Sequence, residues 1–248
     1  MPDIPKAQDQ LFARRSARAK YAEFVVGRPG WGALLKYECV QLVSQNVPGA
    51  LGLTLRRTLY PSLLGRCGSN VIFGQNVVLR HPHKIQIGDD VVVDDNCLID
   101  AKGEGNAGIV IGSGVFIGRN TILSCKNGSI AIADGANIGF NCEIFSASVV
   151  TIGRDTLLAA YCYVIGGDHD LSDPSAAVLH QARRSAGVAI GAGAWLGAGT
   201  KVLDGVTIGD RAIVGAGAVV REAVPAGAIA VGVPARIVGQ REAAVERS

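Results

Sequence analysis

Aliphatic residues recur at every sixth position between Ile87 and Val220, in sets of three: Ile87, Val93, Ile99; Ile111, Ile117, Leu123; Ile132, Ile138, Ile144; Ile152, Leu158, Val164; Ile190, Leu196, Val202; Ile208, Val214, Val220. All eighteen are Ile, Leu or Val. The next residue is Gly in nine cases, and the fourth after is mostly small or β-branched, as at Val91, Cys97, Thr121, Cys142 and Thr200. A helix turning every ~3.6 residues cannot hold every sixth residue on one face, and this Gly and β-branched content also weighs against helix. Three short flat strands per coil, with anchors pointing inward and stacking on the next coil, satisfy the pattern, which predicts a parallel β-helix. Six coils rise roughly 30 Å at ordinary strand spacing, with irregular coils expected before them (Phe73, Leu79) and after. Gly, Asn and Asp suit the corners, where turns need conformations costly for most residues with a Cβ.

Interruptions of the period mark excursions. Ile99 to Ile111 is longer than one side, predicting a protruding turn at Ala101–Ala107. Val164 to Ile190 is longer still, so about twenty residues around Gly166–Val188 leave the prism. That loop is the first place to look for function. Before the period, residues 11–26 and 31–64 are broken at Arg28-Pro29-Gly30 and Pro48-Gly49, and their apolar spacing reads as short amphipathic helices. The expected organisation is a helical, basic N-terminal cap over residues 1–66, a β-helix over 67–240 with its loop at 166–188, and a tail at 241–248. Turns at Ala223–Pro225 and Val231–Ala235 are expected to close the prism, with Arg236–Ser248 running on as a short extension.

Composition narrows the class. Of 248 residues 33 are Gly, about 13% against a usual ~7%, while 48% are hydrophobic and 5% aromatic, which excludes a disordered or collagen-like chain. Residues 1–66 hold ten Lys/Arg against four Asp/Glu, a local excess of +6 in a chain whose net charge is +3. No long apolar run follows the N-terminal charges, so no secretory signal is read and a cytoplasmic location is expected. Cys39–Leu55 is too short and polar for a membrane span. The six cysteines contain no C-x-x-C pair and are expected to be free thiols. No nucleic-acid partner is expected.

The run GVAIGAGAWLGAGTKVLDGVTIGDRAIVGAGAVVREAVPAGAIAVGVPARIV, residues 187–238, resembles the C-terminal half of the hexapeptide-repeat acyltransferases. The likeness is strongest to galactoside/maltose-type sugar O-acetyltransferases and to enzymes that acetylate surface polysaccharides. W-L-G, D-G-V-T-I-G-D, V-G-A-G and A-V-G-V-P-A-R occur in order at the family's spacing, and with the looser repeats the resemblance covers about residues 67–240. It implies left-handed coils, a homotrimer, and acetyl-CoA bound in the groove between neighbouring prisms, with no metal. The handedness comes from the resemblance alone, since the general crossover rule favours the right-handed sense. The fold class expected is therefore mainly β, a left-handed parallel β-helix with a small helical N-terminal region.

Acyl transfer from a thioester needs a base for the incoming hydroxyl, a partner for the developing oxyanion and a slot for a thin cofactor. His169, in Gly166-Gly167-Asp168-His169-Asp170, lies where the long loop leaves the prism, and an imidazole ordinarily titrates near neutrality. The resembling enzymes carry their catalytic His here. Asp168 or Asp170 is placed to hold its tautomer, as a carboxylate does in a triad, although acidic residues are also common in turns. Asn141, in Ile138-Gly-Phe-Asn-Cys142, matches an active-site Asn by spacing and is assigned to acceptor or oxyanion hydrogen bonding, beside its plain reading as a corner residue.

Strand alternation turns Trp195 outward, because Leu196 is an inward anchor. The resemblance implies that Trp195 packs beside the cofactor or acceptor, that Gly197, Ala198, Gly215 and Ala216 let the pantetheine arm lie close, and that Arg221 and Arg236 meet cofactor phosphates. Glu222 and Gly239 stand where the family carries basic residues, so Arg183, Arg184 and Arg241 are alternative cations. Cys97, Cys142 and Cys162 fall in the small inward slot and read as packing thiols. His81 and His83 lack the spacing of a β-helix zinc site. Gly191–Gly199 follows the six-residue period, without the lysine of a phosphate loop.

These features lead to an acetyl-CoA-dependent O-acetyltransferase acting on a sugar hydroxyl, such as a surface-polysaccharide precursor, with His169 as general base. The alternatives are N-acetylation of an amino sugar or small antibiotic, transfer to serine, and a non-catalytic scaffold. Residues 1–66 are either a cap on the prism's open end or a peripheral contact with the inner face of an anionic membrane.

Overall fold

The structure is a computed structural model and describes residues 16–241. The expectations for residues 1–15, including the start of the first helical segment, and for residues 242–248 of the tail lie outside the described residues.

Three sheets form the faces of a prism. Face one stacks Arg66–Cys67, Ile85–Ile87, Ile109–Ile111, Ser129–Ile132, Val149–Ile152, Val188–Ile190 and Thr207–Ile208. Face two begins at Ile72–Phe73 and runs through Phe116–Ile117, Leu157–Leu158 and Trp195–Leu196 to Ala228–Val231. Face three begins at Val78–Arg80 and runs through Glu143–Ser146 and Tyr163–Gly166 to Val219–Val220. Within these columns the anchors stand in parallel register, as in Ile144 beside Leu123 and Val164. All eighteen are at most 2% exposed. Burying one such aliphatic side chain is worth roughly 1.5–3 kcal/mol, so the column is the core of the molecule.

The period begins one coil earlier than the Ile87 set. Cys67 pairs with Ile87, Phe73 with Val93 and Leu79 with Ile99 in unbroken register, so the first coil is regular rather than irregular. At the far end, Arg236–Gln240 is a strand, not an extension: it folds back antiparallel on Ala228–Val231 and covers the last edge of face two. An uncovered edge would offer its backbone groups to another strand.

The glycines divide into two kinds. Those directly after an anchor, such as Gly88 and Gly197, are needed for close approach rather than for a left-handed backbone; a Cβ on Gly197 would lie 2.5 Å from the amide nitrogen of Ala216 in the next coil. The left-handed residue is the third after the anchor, filled by Asp90, Asn96, Asn120, Asn141 and Asp155 as well as by Gly, and these short polar side chains tolerate that region best. No face-three anchor in the Ile87–Val220 sets is followed by Gly. The chain departs from the prism at this three/one edge, at Ala101–Ala107 and again after Gly166.

Helix α1 (Ala17–Tyr21) starts at Ser16, whose Oγ accepts from the Ala19 amide, and leads into a π-helical turn at Ala22–Val26. Helices α2 (Trp31–Ser44) and α3 (Gly49–Leu59) follow, separated at Pro48. They lie against the first coil. Tyr37 Oη donates to the Leu79 carbonyl at 2.8 Å and Tyr60 Oη to the Val77 carbonyl at 2.9 Å. Arg56, 3% exposed, donates to the carbonyls of Phe73, Ser44 and Val47.

Candidate active site

His169 stands at the three/one edge of the coil that carries Ile152, Leu158 and Val164. The chain leaves there through Gly166 and Gly167, where a Cβ would press on Val150 and Ala147. It then forms a short antiparallel hairpin in which Asp168 faces Arg184 and His169 faces Arg183. Asp204 holds the returning leg, accepting from the amides of Ala186 and Gly187, while Ser185 Oγ donates to the Gly166 carbonyl at 2.8 Å. Gln181 braces the loop interior through the carbonyls of Asp173 and Ala176.

Neither neighbouring carboxylate holds the ring. Asp168 Oδ1 accepts from the amide of His169 itself at 2.7 Å, and Asp170 accepts from the Ser172 amide and pairs with Arg184 Nη2 at 2.6 Å. Both acidic side chains are taken by local backbone and a cation, as Asp commonly is in turns. His169 Nδ1 is buried with no hydrogen-bond partner. Hydrogen bonds from Ser172, and then the Arg184 guanidinium, hold the Asp170 carboxyl below the usual carboxylate range.

Asn141 lies on a different edge. It occupies the left-handed corner between faces two and three (φ 55), its Oδ1 accepting from Asn120 Nδ2 at 3.0 Å. One face-three strand separates that edge from the edge of His169, on the order of 15 Å at ~3.3 Å per residue. One chain therefore does not bring the two together. Of the cofactor candidates, Trp195, Gly197, Ala198, Gly215 and Ala216 share the edge of Asn141, whereas Arg221 follows the face-three strand Val219–Val220 and lies at the three/one edge. Trp195 points outward, 46% exposed, while Leu196 is fully buried. Gly197 and Ala198 lie directly under Gly215 and Ala216, with the Ala198 carbonyl accepting from the Gly217 amide at 2.8 Å.

Arg221 and Arg236 both stand 3.5 Å from one carboxylate oxygen of Glu222, so the acidic residue at the family's basic position gathers the two cations. Of the alternative cations, Arg184 is committed to Asp170, and Arg241 donates to the Arg211 carbonyl.

Arg184, read from the sequence as an alternative phosphate cation, instead ties the hairpin, and one participant escaped the sequence reading altogether. Tyr161, 66% exposed, holds a left-handed backbone (φ 64) at the two/three edge between Asn141 and Ala198. The signal for Tyr161 was present: it fills a corner slot that, Arg211 apart, is given to Gly, Asn or Asp. The cysteines behave as packing groups. Cys97, Cys142 and Cys162 are buried, and the hydrogen bond with Cys142, then burial, pushes the Cys162 thiol far above its ordinary range. His81 Nε2 lies 2.9 Å from the Glu23 carbonyl, and among the described residues no three His, Cys, Asp or Glu side chains group as metal ligands.

The family model for bacterial transferase hexapeptide repeats matches residues 187–222. A protein of Escherichia coli K12 named as a lipopolysaccharide biosynthesis O-acetyl transferase, WbbJ, is 33% identical over 149 residues, covering 57% of this chain and 74% of that one. The chain belongs to the bacterial hexapeptide-repeat transferases. Its fold is the left-handed parallel β-helix of that family. A Mycobacterium tuberculosis H37Rv protein named as an acetyltransferase, Rv3034c, is 34% identical over 142 residues, and the match spans 57% of this chain and about half, 47%, of that relative's length. Among solved structures, AntD, an N-acyltransferase from Bacillus cereus in complex with dTDP and 3-hydroxybutyryl-CoA, is similar in fold, with a TM-score of 0.52, 19% identity, and coverage of 72% of this chain and 84% of that one. Among the described residues no helix is long and apolar enough to cross a membrane.

Proposed function

We propose that this chain is an acetyl-CoA-dependent O-acetyltransferase acting on a sugar hydroxyl, working as a homotrimer. The observation that carries the reading is a half-buried imidazole on a hairpin at one edge of the prism and a shelf of small residues beside an exposed Trp on another. The shelf fits a thin thiol arm. At Gly197 a Cβ would strike the next coil, Ala198 and Ala216 add only a methyl each, and Trp195 offers a flat apolar wall. When bound there, acetyl-CoA supplies the activated acyl group. Arg221 and Arg236 are the cations for its phosphates, once drawn from Glu222.

Two edges of one prism cannot meet, but the two/three edge of one chain can meet the three/one edge of the next. A heterologous contact of this kind closes into a ring, and three triangular prisms close it with each of these two edges used once per chain. His169 of one subunit then faces Asn141 and the shelf of another. Nε2 of His169 takes the proton of the acceptor hydroxyl, and Asn141 holds that hydroxyl or the oxygen that develops charge. A cytoplasmic location follows the source of acetyl-CoA, and the outward leucines Leu42 and Leu51, with the +6 excess of residues 1–66, favour peripheral contact with the inner face of the membrane.

The test is release of free CoA from acetyl-CoA across a panel of sugar acceptors, with the mass of the purified assembly measured beside it. Turnover by a trimer, lost in His169→Ala, is the expected result. An undiminished rate in that variant removes His169 from the chemistry, and failure to bind CoA at all returns the chain to a scaffold role.

A further inference from the structure

The three/one edge that carries His169 also carries, two to three coils lower, a cavity of about 500 Å³. Its walls come from two segments far apart in the chain: the turn after α1 with the start of α2 on one side, and the Ala101–Ala107 excursion on the other. The excursion is fixed in place. Lys84 Nζ donates to the Gly103 carbonyl and to Asn106 Oδ1, and Asn106 Nδ2 donates to the Gly128 carbonyl at 2.7 Å. Four cations, Arg18, Arg28, Lys84 and Lys102, line the space against two carboxylates, Glu23 and Glu104. Arg18 lies 3.9 Å over the Trp31 ring and Lys102 lies 3.1 Å over the Phe24 ring, so both charges are presented on aromatic supports.

The cations continue upward along the same edge. Lys126, one coil above the excursion, lies 4.7 Å over the Phe145 ring, and its ammonium is held down in pKa by burial and by the nearby Arg183. Arg183 is the hairpin partner of His169. From Lys102 to His169 is a rise of three coils, roughly 14 Å at ~4.8 Å per coil. That is longer than a single sugar and comparable to a sugar joined to a diphosphate.

We propose that this cavity binds the phosphate or diphosphate of the acceptor, whose sugar then reaches up the edge to His169. The proposal rests on the acetyl-transfer reading for its upper end and on the cavity alone for its lower end. The shared ligand chemistry is a phosphate ester on a sugar, whether its far side is a nucleoside or a lipid. Clustered Lys and Arg facing a concave wall raise the local concentration of such anions, and Arg meets phosphate with paired donors.

The chain has two tryptophans, so Trp195→Phe leaves Trp31 as the sole indole, inside this cavity. Titration of that full-length variant with inorganic pyrophosphate, UDP-N-acetylglucosamine and farnesyl diphosphate reads binding from Trp31 emission. A saturable change is expected, weakened at least tenfold by Arg28→Ala or Lys102→Ala, weakened by salt, and unchanged by His169→Ala. Tighter binding of the nucleotide sugar or of the prenyl diphosphate identifies which source of phosphate the site accepts. No saturable response to any of the three, or one that both Arg28→Ala and Lys102→Ala leave intact, overturns the site. If turnover exists, Lys102→Ala is expected to raise KM for phosphorylated acceptors about tenfold with little change in kcat, and not for the free sugar; equal effects on both refute the link to His169. Binding without any acetyl transfer would overturn the catalytic reading alone, and acetyl transfer without binding would overturn this proposal alone.

Discussion

The carboxylate of Asp170 lies 2.6 Å from the guanidinium of Arg184, and this pair closes the hairpin that carries His169. The acid next to the imidazole therefore positions the loop, not the ring. Asp170→Asn is expected to reduce turnover roughly 10–100-fold by displacing His169, a range typical of small misplacements. Arg184→Ala should match it, and the double variant should be no worse than either single one, which a kinetic cycle checks. Because the Asp170 carboxyl is held below its ordinary range, the tie is present above that range and is lost only as pH falls through the depressed value. The hairpin should therefore keep its protection from proteolysis at pH 5.

Removing the imidazole tests a different function. His169→Ala is expected to cost about 10²–10⁴ in turnover, the usual weight of a general base, while leaving thermal stability and assembly unchanged. A comparable loss of both would mean that the side chain serves packing.

The two kinds of glycine should separate in stability. Gly197→Ala forces a Cβ to within 2.5 Å of the Ala216 amide and is expected to cost about 1–3 kcal/mol, the range for overpacking, together with the cofactor shelf. At Gly217 a Cβ meets nothing, and only the left-handed backbone (φ +69) opposes it; about 1 kcal/mol is expected. Denaturant midpoints of the two variants decide the order.

Arg56 is a buried cation whose four carbonyl partners, of Ser44, Gln45, Val47 and Phe73, tie α3 to α2 and to the first coil. Arg56→Met is expected to cost about 3–5 kcal/mol, because the carbonyls lose a charged donor. The loss should appear as early proteolysis within residues 16–62 while the prism stays intact.

Burial pushes the His81 imidazole down to about 4, and it stays neutral with Nε2 at the Glu23 carbonyl. The unfolded chain takes up a proton near the ordinary value of ~6.5, whereas the folded one does not until pH approaches 4. Stability should thus fall as pH drops from about 6.5 toward 4, by on the order of 3 kcal/mol in all. Urea midpoints measured from pH 7 to 4.5 should show this slope, and His81→Asn should flatten it.

What the sequence by itself determined was the prism. Each anchor reports its own inward direction through the residues on either side of it, and hydrophobic burial enforces that direction on every coil, so Ile87 through Val220 could be placed without coordinates. The outward set of Trp195 and the departure of the chain near Gly166 follow from the same local period. The tertiary structure alone decided which groups meet. Asp170 is adjacent in sequence to His169 and fourteen residues from Arg184, and only the fold of the hairpin gives its carboxylate to Arg184. The glycines after the anchors looked like turn residues because close approach between coils leaves no local mark. The cavity at Lys102 joins a helix turn to an excursion some seventy residues away, and no period along the chain records a contact made across space.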